Sequence, residues 1–312
     1  MSLISDGDGE NSDGGDENDE DGGWQAWATG FGGQLELDGS DRNALDTTVP
    51  YTGLSAGIIR ALGDTDLGVN GAVSFSFGSL QSNMDFNSRW MRSQESDVQT
   101  IFTGVAASFA PGASPAGGLQ IGASLRVGRT RLDNTRHVNN NLVSGGIANN
   151  IGSTDSLWLA VAGDIGYRIA AGDVASITPF ARVSHVQGTI DGYSETGGQS
   201  AAIVGDQEIA VTRGEAGLRG SVDLAVEVEA RLLGSVSAFF SSESGDDSVA
   251  VTLGTDNRDL VFTQLDDNGV RASLGLEYGF DNGTSLFAGG NYSASDAGDT
   301  DLSAGLTLRF PL

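Results

Sequence analysis

A two-residue alternation of apolar and polar side chains, clearest over residues 268–310, restricts the possible folds of this chain more than any other feature. In "GVRASLGLEYGF", Val270, Ala272, Leu274, Leu276, Tyr278 and Phe280 share one parity, against Arg271, Ser273, Gly275, Glu277 and Gly279. After the turn "DNGTS", Leu286, Ala288, Gly290 and Tyr292 oppose Ser285, Phe287, Gly289 and Asn291. "DLSAGLTLRF" then sets Leu302, Ala304, Leu306, Leu308 and Phe310 against Ser303, Gly305, Thr307 and Arg309. Period two means strands with one apolar face. The opposite face is small and glycine-rich, yet it carries single charges at mid-strand. A soluble sandwich turns its apolar face to a core. A membrane barrel turns that face to lipid and its polar face to a wet lumen.

Twelve strands can be placed, at about 24–37, 50–63, 66–81, 95–109, 118–131, 155–170, 174–189, 207–221, 225–241, 268–281, 284–295 and 300–310. The third sets Leu67, Val69, Val73, Phe75 and Phe77 against Asn70, Ala72, Ser74 and Ser76. The sixth sets Leu157, Leu159, Val161, Ile165 and Tyr167 against Trp158, Ala160, Ala162, Asp164 and Arg168. Short turns such as "GDTD", "AAGDVAS" and "FDNGTS" alternate with longer polar connections near 38–49, 82–94, 132–154, 190–206 and 242–267, and with a brief one near 296–299. Membrane barrels alternate in this way, with short turns on the periplasmic side and long loops outside, and an even strand number leaves both termini in the periplasm. Strands of about 10–16 residues also exceed the usual globular length of about 5–6. Trp24, Trp27, Tyr167, Tyr278, Phe280, Tyr292 and Phe310 fall towards strand ends, where interfacial aromatic girdles sit. The expected fold is all-β: a twelve-stranded antiparallel outer-membrane barrel over residues 24–312, preceded by an acidic linker, 1–23, that is disordered.

Composition narrows the function. The chain has 312 residues, 47 Gly, 5 Pro and no Cys, which excludes a disulfide framework and cysteine-ligated metal. No apolar run approaches the roughly 18 residues of a membrane-spanning helix. The formal charge of −26 leaves no basic stripe for nucleic acid. Nine of those charges lie between Asp6 and Asp21, leaving −17 on residues 24–312. Residues 5–23 repel themselves and cannot bury apolar surface, so they read as an extended, solvated spacer. Asp6, Asp8 and Asp13 offer oxygen ligands for weak calcium binding, but their spacing is not that of a twelve-residue calcium loop. No charged n-region, apolar h-region and cleavage site opens the chain, so an exported protein would be present here as a fragment.

Three stretches carry a family resemblance: "WATGFGG" at 27–33, "ITPFARVSHVQGTIDGYSETGGQSAAIVGDQ" at 177–207, and the closing "DLSAGLTLRF" at 301–310. From about Trp24 to Phe310 the chain resembles the C-terminal translocator domain of autotransporters, the type V secretion proteins of Gram-negative bacteria. The resemblance implies a non-enzymatic barrel that anchors an N-terminal passenger and exports it to the cell surface, with the barrel's termini on the periplasmic side. It also implies a covalently attached passenger, outer-membrane lipid and the barrel-assembly machinery as partners. That machinery reads a terminal aromatic, matched here by Phe310, although Pro311 and Leu312 follow it. The family's helix before the first strand has no counterpart in the composition of residues 5–23. Either it is absent or an extended acidic segment takes its place in the pore.

Ten charges fall on the polar parity and are expected to line the lumen: Arg126, Asp164, Arg168, Arg182, Glu227, Glu229, Arg231, Arg271, Glu277 and Arg309. Their plain role is a hydrated, mutually paired wall that fixes strand register. Their functional role would be a polar, non-adhesive path for a chain in transit, with the arginines holding the acidic linker. No catalytic, metal or cofactor-binding residue is expected. His185 shares parity with the apolar Ile177, Ala181 and Val183 and so points to lipid or the interface, with Asp191 just beyond. His137 lies in a long connection. The alternative functions are a stand-alone pore or surface-binding barrel, with 132–154 and 242–267 as its working loops, and an outer-membrane hydrolase using His185. A closed barrel has no free edge, so a monomer is expected.

Overall fold

The computed structural model describes residues 23–38, 47–62, 69–86, 94–111, 117–139, 144–198, 200–225, 229–261, 264 and 266–312. Its strands are β1 (Trp24–Leu37), β2 (Thr47–Leu62), β3 (Val69–Phe86), β4 (Gln94–Pro111), β5 (Gly117–Asn139), β6 (Ile147–Ala170), β7 (Ala175–Ile190), β8 (Tyr193–Ser194), β9 (Ala202–Val204), β10 (Gln207–Ala225), β11 (Ala230–Gly245), β12 (Ser248–Leu253), β13 (Asp256–Val261), β14 (Asp266–Gly279), β15 (Ser285–Ser295) and β16 (Thr300–Pro311). Twelve of them, β1–β7, β10, β11 and β14–β16, form a closed barrel in which chain neighbours pair antiparallel. The remaining four form a small sheet in the order β13-β12-β9-β8.

Closure is made by β1 and β16, paired from Gln25↔Pro311 to Glu36↔Thr300. The two residues after Phe310 belong to this seam: Pro311 pairs with Gln25, and the Leu312 N–H donates to the Trp24 carbonyl oxygen at 2.9 Å. A closed ladder leaves the wall no open strand edge, which hydrocarbon demands because it offers no water to unpaired backbone groups.

The wall is apolar outside. Leu54, Ile101, Leu157, Leu274 and Leu302 are each more than three-fifths exposed (67%, 64%, 61%, 63% and 62%). They belong to a band running around the barrel, far beyond the scattered apolar exposure of a water-soluble monomer. At the end that carries both termini and the short turns, Trp24, Tyr167, Tyr278, Phe280 and Phe310 face outward as a girdle. There the Arg60 guanidinium lies 5.5 Å from the Trp24 ring centre, and Tyr278 meets Phe280 edge-on at 4.8 Å. Trp27 differs from expectation. Its parity is that of the inward Thr29, and its ring lies over Gly57 instead of at the interface.

The long connections also differ from their reading as polar loops. The β5–β6 hairpin continues past the apolar band to Asn139 and Ile147, so most of 132–154 is paired strand. The expected loops 190–206 and 242–267 contain β8, β9, β12 and β13. The physical reason is backbone satisfaction: a long polar segment pairs its N–H and C=O groups with a neighbour wherever the barrel wall offers a template.

Candidate functional site in the barrel lumen

The inward face is built from glycines, hydroxyls, aromatics and charges. Aromatic rings lie flat across glycines of the adjacent strand. A Cβ at Gly53 would meet Phe31 at 2.3 Å, at Gly57 Trp27 at 2.8 Å, at Gly128 Trp158 at 2.3 Å, at Gly269 Phe239 at 2.4 Å and at Gly275 Phe287 at 2.4 Å. No real Cβ contact is that short, so these positions admit only glycine while the ring stays where it is. This is why the polar parity is glycine-rich. Between the rings run cross-strand hydroxyl pairs: Thr29 with Thr307 at 2.7 Å, Ser235 with Ser273 at 2.6 Å, and Ser176 with Ser221 at 2.8 Å. A cavity of about 200 Å³ opens among these groups, bordered by Thr29, Phe180, Arg182, Glu215, Arg219 and Arg271.

Charges project into the same space. Arg271 Nη1 lies 3.5 Å from Glu215 Oε2, and Ser237 Oγ donates to Glu215 Oε1 at 2.5 Å. Arg219 Nη1 lies 3.9 Å from Asp164 Oδ2, and its guanidinium stands 4.0 Å from the Phe180 ring centre. Arg213 stacks on Phe239 at 3.5 Å. Tyr51 donates from its hydroxyl to Asp301 Oδ1 at 2.8 Å. Towards the end that carries the termini, Arg231 Nε donates to Asp223 Oδ1 at 2.8 Å.

Of the ten charges read from parity, Arg126, Asp164, Arg168, Arg182, Arg231, Arg271, Glu277 and Arg309 lie part-buried on the inward face. Glu229 sits exposed at the terminal mouth, where its side chain covers Gly279. Glu227 lies outside the described residues. The structure brings Arg182 and Arg271 to one cavity with Glu215 and Arg219; Arg231, Glu229 and Arg309 stand apart from it.

Arg213, Glu215 and Arg219 on β10 escaped the sequence reading. The outward parity of β10 is Ala210, Thr212, Gly214, Ala216 and Leu218, too small and mixed to mark a lipid face. The usable signal was the odd spacing shared by Arg213, Glu215 and Arg219. The lumen aromatics Phe102 and Phe180 were missed because an aromatic ordinarily signals the apolar side, whereas Trp158 was read on the polar parity, where the structure has it.

Neither histidine faces this space with a catalytic partner. His185 Nδ1 pairs with Thr212 Oγ1 at 2.9 Å on the outward face. His137 Nδ1 pairs with Asn149 Oδ1 at 2.8 Å on the protruding hairpin, with Glu95 at 3.7 Å.

Residues 26–291 match the family model described as the autotransporter beta-domain. The chain belongs to the autotransporter β-domain family. No curated protein matches its sequence. Among solved structures, this autotransporter barrel is similar to the translocator domain of NalP from Neisseria meningitidis, with a TM-score of 0.67 at 16% identity over 92% of this chain and 88% of that one. It is also similar to the β-domain of the Bordetella autotransporter BrkA, at 0.64 and 14% over 93% and 100%. A third likeness is to the transport unit of AIDA-I from Escherichia coli, at 0.60 and 12% over 96% and 93%. An autotransporter β-domain is an outer-membrane translocator barrel with an attached passenger, and the apolar band and wet lumen described above are the physical form of that role.

Proposed function

We propose that both termini of this barrel lie on the periplasmic side and that the chain preceding Trp24 passes outward through the lumen, delivering a passenger to the cell surface. The observation that carries this reading is the closed twelve-strand wall with a polar, charged lumen, entered at the mouth where Trp24 and Leu312 meet. Residues 1–23, of which 1–22 lie outside the described residues, are read as the junction between passenger and barrel, with at most weak calcium binding. Residues 24–312 are the translocator. The lumen arginines, carboxylates and hydroxyls offer a passing chain polar groups between the aromatic rings, which lie against the glycines of the wall. The barrel itself is non-enzymatic and needs no cofactor. Its partners are outer-membrane lipid, the passenger and the barrel-assembly machinery, which reads Phe310 at the seam; nucleic acid is not among them.

The test is surface display. A signal peptide and an epitope are fused ahead of Ser5 in a Gram-negative host, and protease is added to intact cells. Loss of the epitope is expected. An epitope protected in intact cells, with a heat-modifiable barrel present in the outer membrane, would overturn the outward path and favour a stand-alone pore.

A further inference from the structure

The lumen holds arginines whose charge the wall does not answer. Asp164 is engaged by Arg219, Glu215 by Arg271 and Ser237, and Asp301 by Tyr51. Among the described residues this leaves Arg126, Arg182 and Arg213 with no carboxylate within ion-pair distance. The wall fixes two of them. The stem of Arg126 on β5 lies across Gly104 of β4, where a Cβ would meet its Cγ at 2.6 Å. Arg213 on β10 is held flat on Phe239, 3.5 Å from the ring centre, with Nε and Nη2 shielded from solvent and making no hydrogen bond. Arg182 on β7 stands between those strands in the barrel order and borders the cavity of about 200 Å³. Its charge repels both Arg126 and Arg213. Glu215 and Asp267 act on Arg213 from farther off, but Arg271 holds the first and Asp296 bonds to the second.

We infer that Arg126, Arg182 and Arg213 form a lumen site, centred on Arg182, for a small free oxyanion of the phosphate and sulfate class. Like charges gathered without a counter-charge are unfavourable, and shielded donors left unmade add to the cost. What would relieve both is a negative group with several acceptor oxygens in a small volume. A tetrahedral oxyanion is such a group, and guanidinium forks pair with its oxygens two at a time. Chloride brings the charge without the set of oxygens that a fork engages. Bound between the three side chains, the oxyanion turns repulsion among β5, β7 and β10 into attraction. It should therefore hold the folded barrel together as well as occupy it. The site is made by the wall alone, so it stands whichever way a passenger travels.

Equilibrium dialysis of the full chain in uncharged detergent, against radiolabelled inorganic phosphate at constant ionic strength, tests this. One saturable site per barrel is expected, emptied by sulfate but not by chloride. Arg182→Gln and, separately, Arg126→Gln should each weaken binding about tenfold or more, the loss of one charge-assisted pair. Arg182→Lys, which keeps the charge and loses the fork, should recover only part of it. Arg60→Gln, on the outer wall, should bind as the parent does. Phosphate should also raise the temperature of the heat-modifiable gel shift in the parent and not in Arg182→Gln. The same gel shift shows that each variant is folded. A folded parent with no saturable binding would overturn the site, and that result needs no variant. So would chloride competing as well as sulfate, or unchanged affinity in both glutamine variants. Phosphatidylglycerol added to the micelles keeps its headgroup outside the lumen and should leave binding unchanged; displacement by it would place the phosphate on the membrane face and reject the lumen site. A protected epitope in the display assay rejects the outward path and leaves this site standing, whereas absent phosphate binding rejects the site alone.

Discussion

Single residues in this barrel are chosen by what stands across the strand. Gly128 is absent a side chain because the Trp158 ring occupies that volume, with the Ile101 carbonyl oxygen 2.9 Å from where a Cβ would sit. The ring is held there by its Nε1–H, which donates to Thr130 Oγ1 at 3.3 Å. Gly128→Ala should cost about 1–3 kcal/mol, the usual penalty for overpacking, seen as a lower temperature for the heat-modifiable gel shift; an unchanged transition would refute the fit. At the loop end, beyond the apolar band, burial and then the hydrogen bond to Asp296 push the Asp267 carboxyl up. Asp296 is held down to about 2 by the Asn268 N–H first, and then by Asp267. The two have opposite linkage. A raised carboxyl favours the fold below the ordinary carboxylate range and loses that contribution as pH rises through its folded value. A depressed one favours the fold above the ordinary range and loses it as pH falls towards 2. Asp267→Asn keeps a donor for Asp296 at every pH, so the variant should gain on the parent between pH 4 and pH 7. A gap in transition temperature that is the same at both pH values would sink this assignment.

At the scale of elements, the protruding β5–β6 hairpin is locked to the connection after β7. Asn150 is the one fully buried side chain among the described residues. Its Nδ2 donates to Ser200 O at 3.1 Å and Ser200 Oγ at 3.0 Å, and its Oδ1 accepts from the Gly198 N–H at 2.9 Å. Beside it Arg136 grips Glu195 through two nitrogens, and Glu195 Oε2 also accepts the Ala202 N–H at 2.8 Å. Thr154 Oγ1 donates to the Asp191 carbonyl oxygen. Asn150→Ala strands those partners at a cost of about 1–3 kcal/mol. It should make the 191–206 connection several-fold more sensitive to protease while the barrel's heat-modifiable shift stays unchanged. Equal protease resistance would show that the lock is redundant. These contacts join residues far apart in sequence, and a polar segment such as "TRHV" or "IANN" gives no hint of its partner. The alternation inside the apolar band, by contrast, was legible because lipid contact selects one parity along each strand.

For the whole molecule, stability comes from closure instead of a hydrophobic core. Leu54 and Leu302 face out, whereas Tyr51, Phe180 and Phe239 are among the few buried large side chains of the wall, and they serve the lumen. Closing β1 on β16 removes the edges that would otherwise recruit another chain. The small sheet does present β13 as an outer edge strand, but Asp256, Arg258 and Asp259 charge it, a common defence against edge pairing. The barrel should accordingly run as a monomer by light scattering in detergent; a stable dimer would point to β13 or the apolar wall as an interface.

Sequence alone determined the strand number, the outward parity of most strands and the alternation of short and long connections, because lipid and water impose opposite demands on successive residues. It also read ten charges on the polar parity, eight of which are part-buried on that face. Only tertiary structure decided which charges meet. Arg182 is in register with both Asp164 and Glu215, yet those carboxylates bind Arg219 and Arg271 instead. Side-chain reach across a curved wall sets that choice, and strand order by itself does not. Tertiary structure likewise turned Trp27 inward over Gly57, and folded the polar connections into β8, β9, β12 and β13, because ring packing and backbone pairing are settled by neighbours distant in the chain.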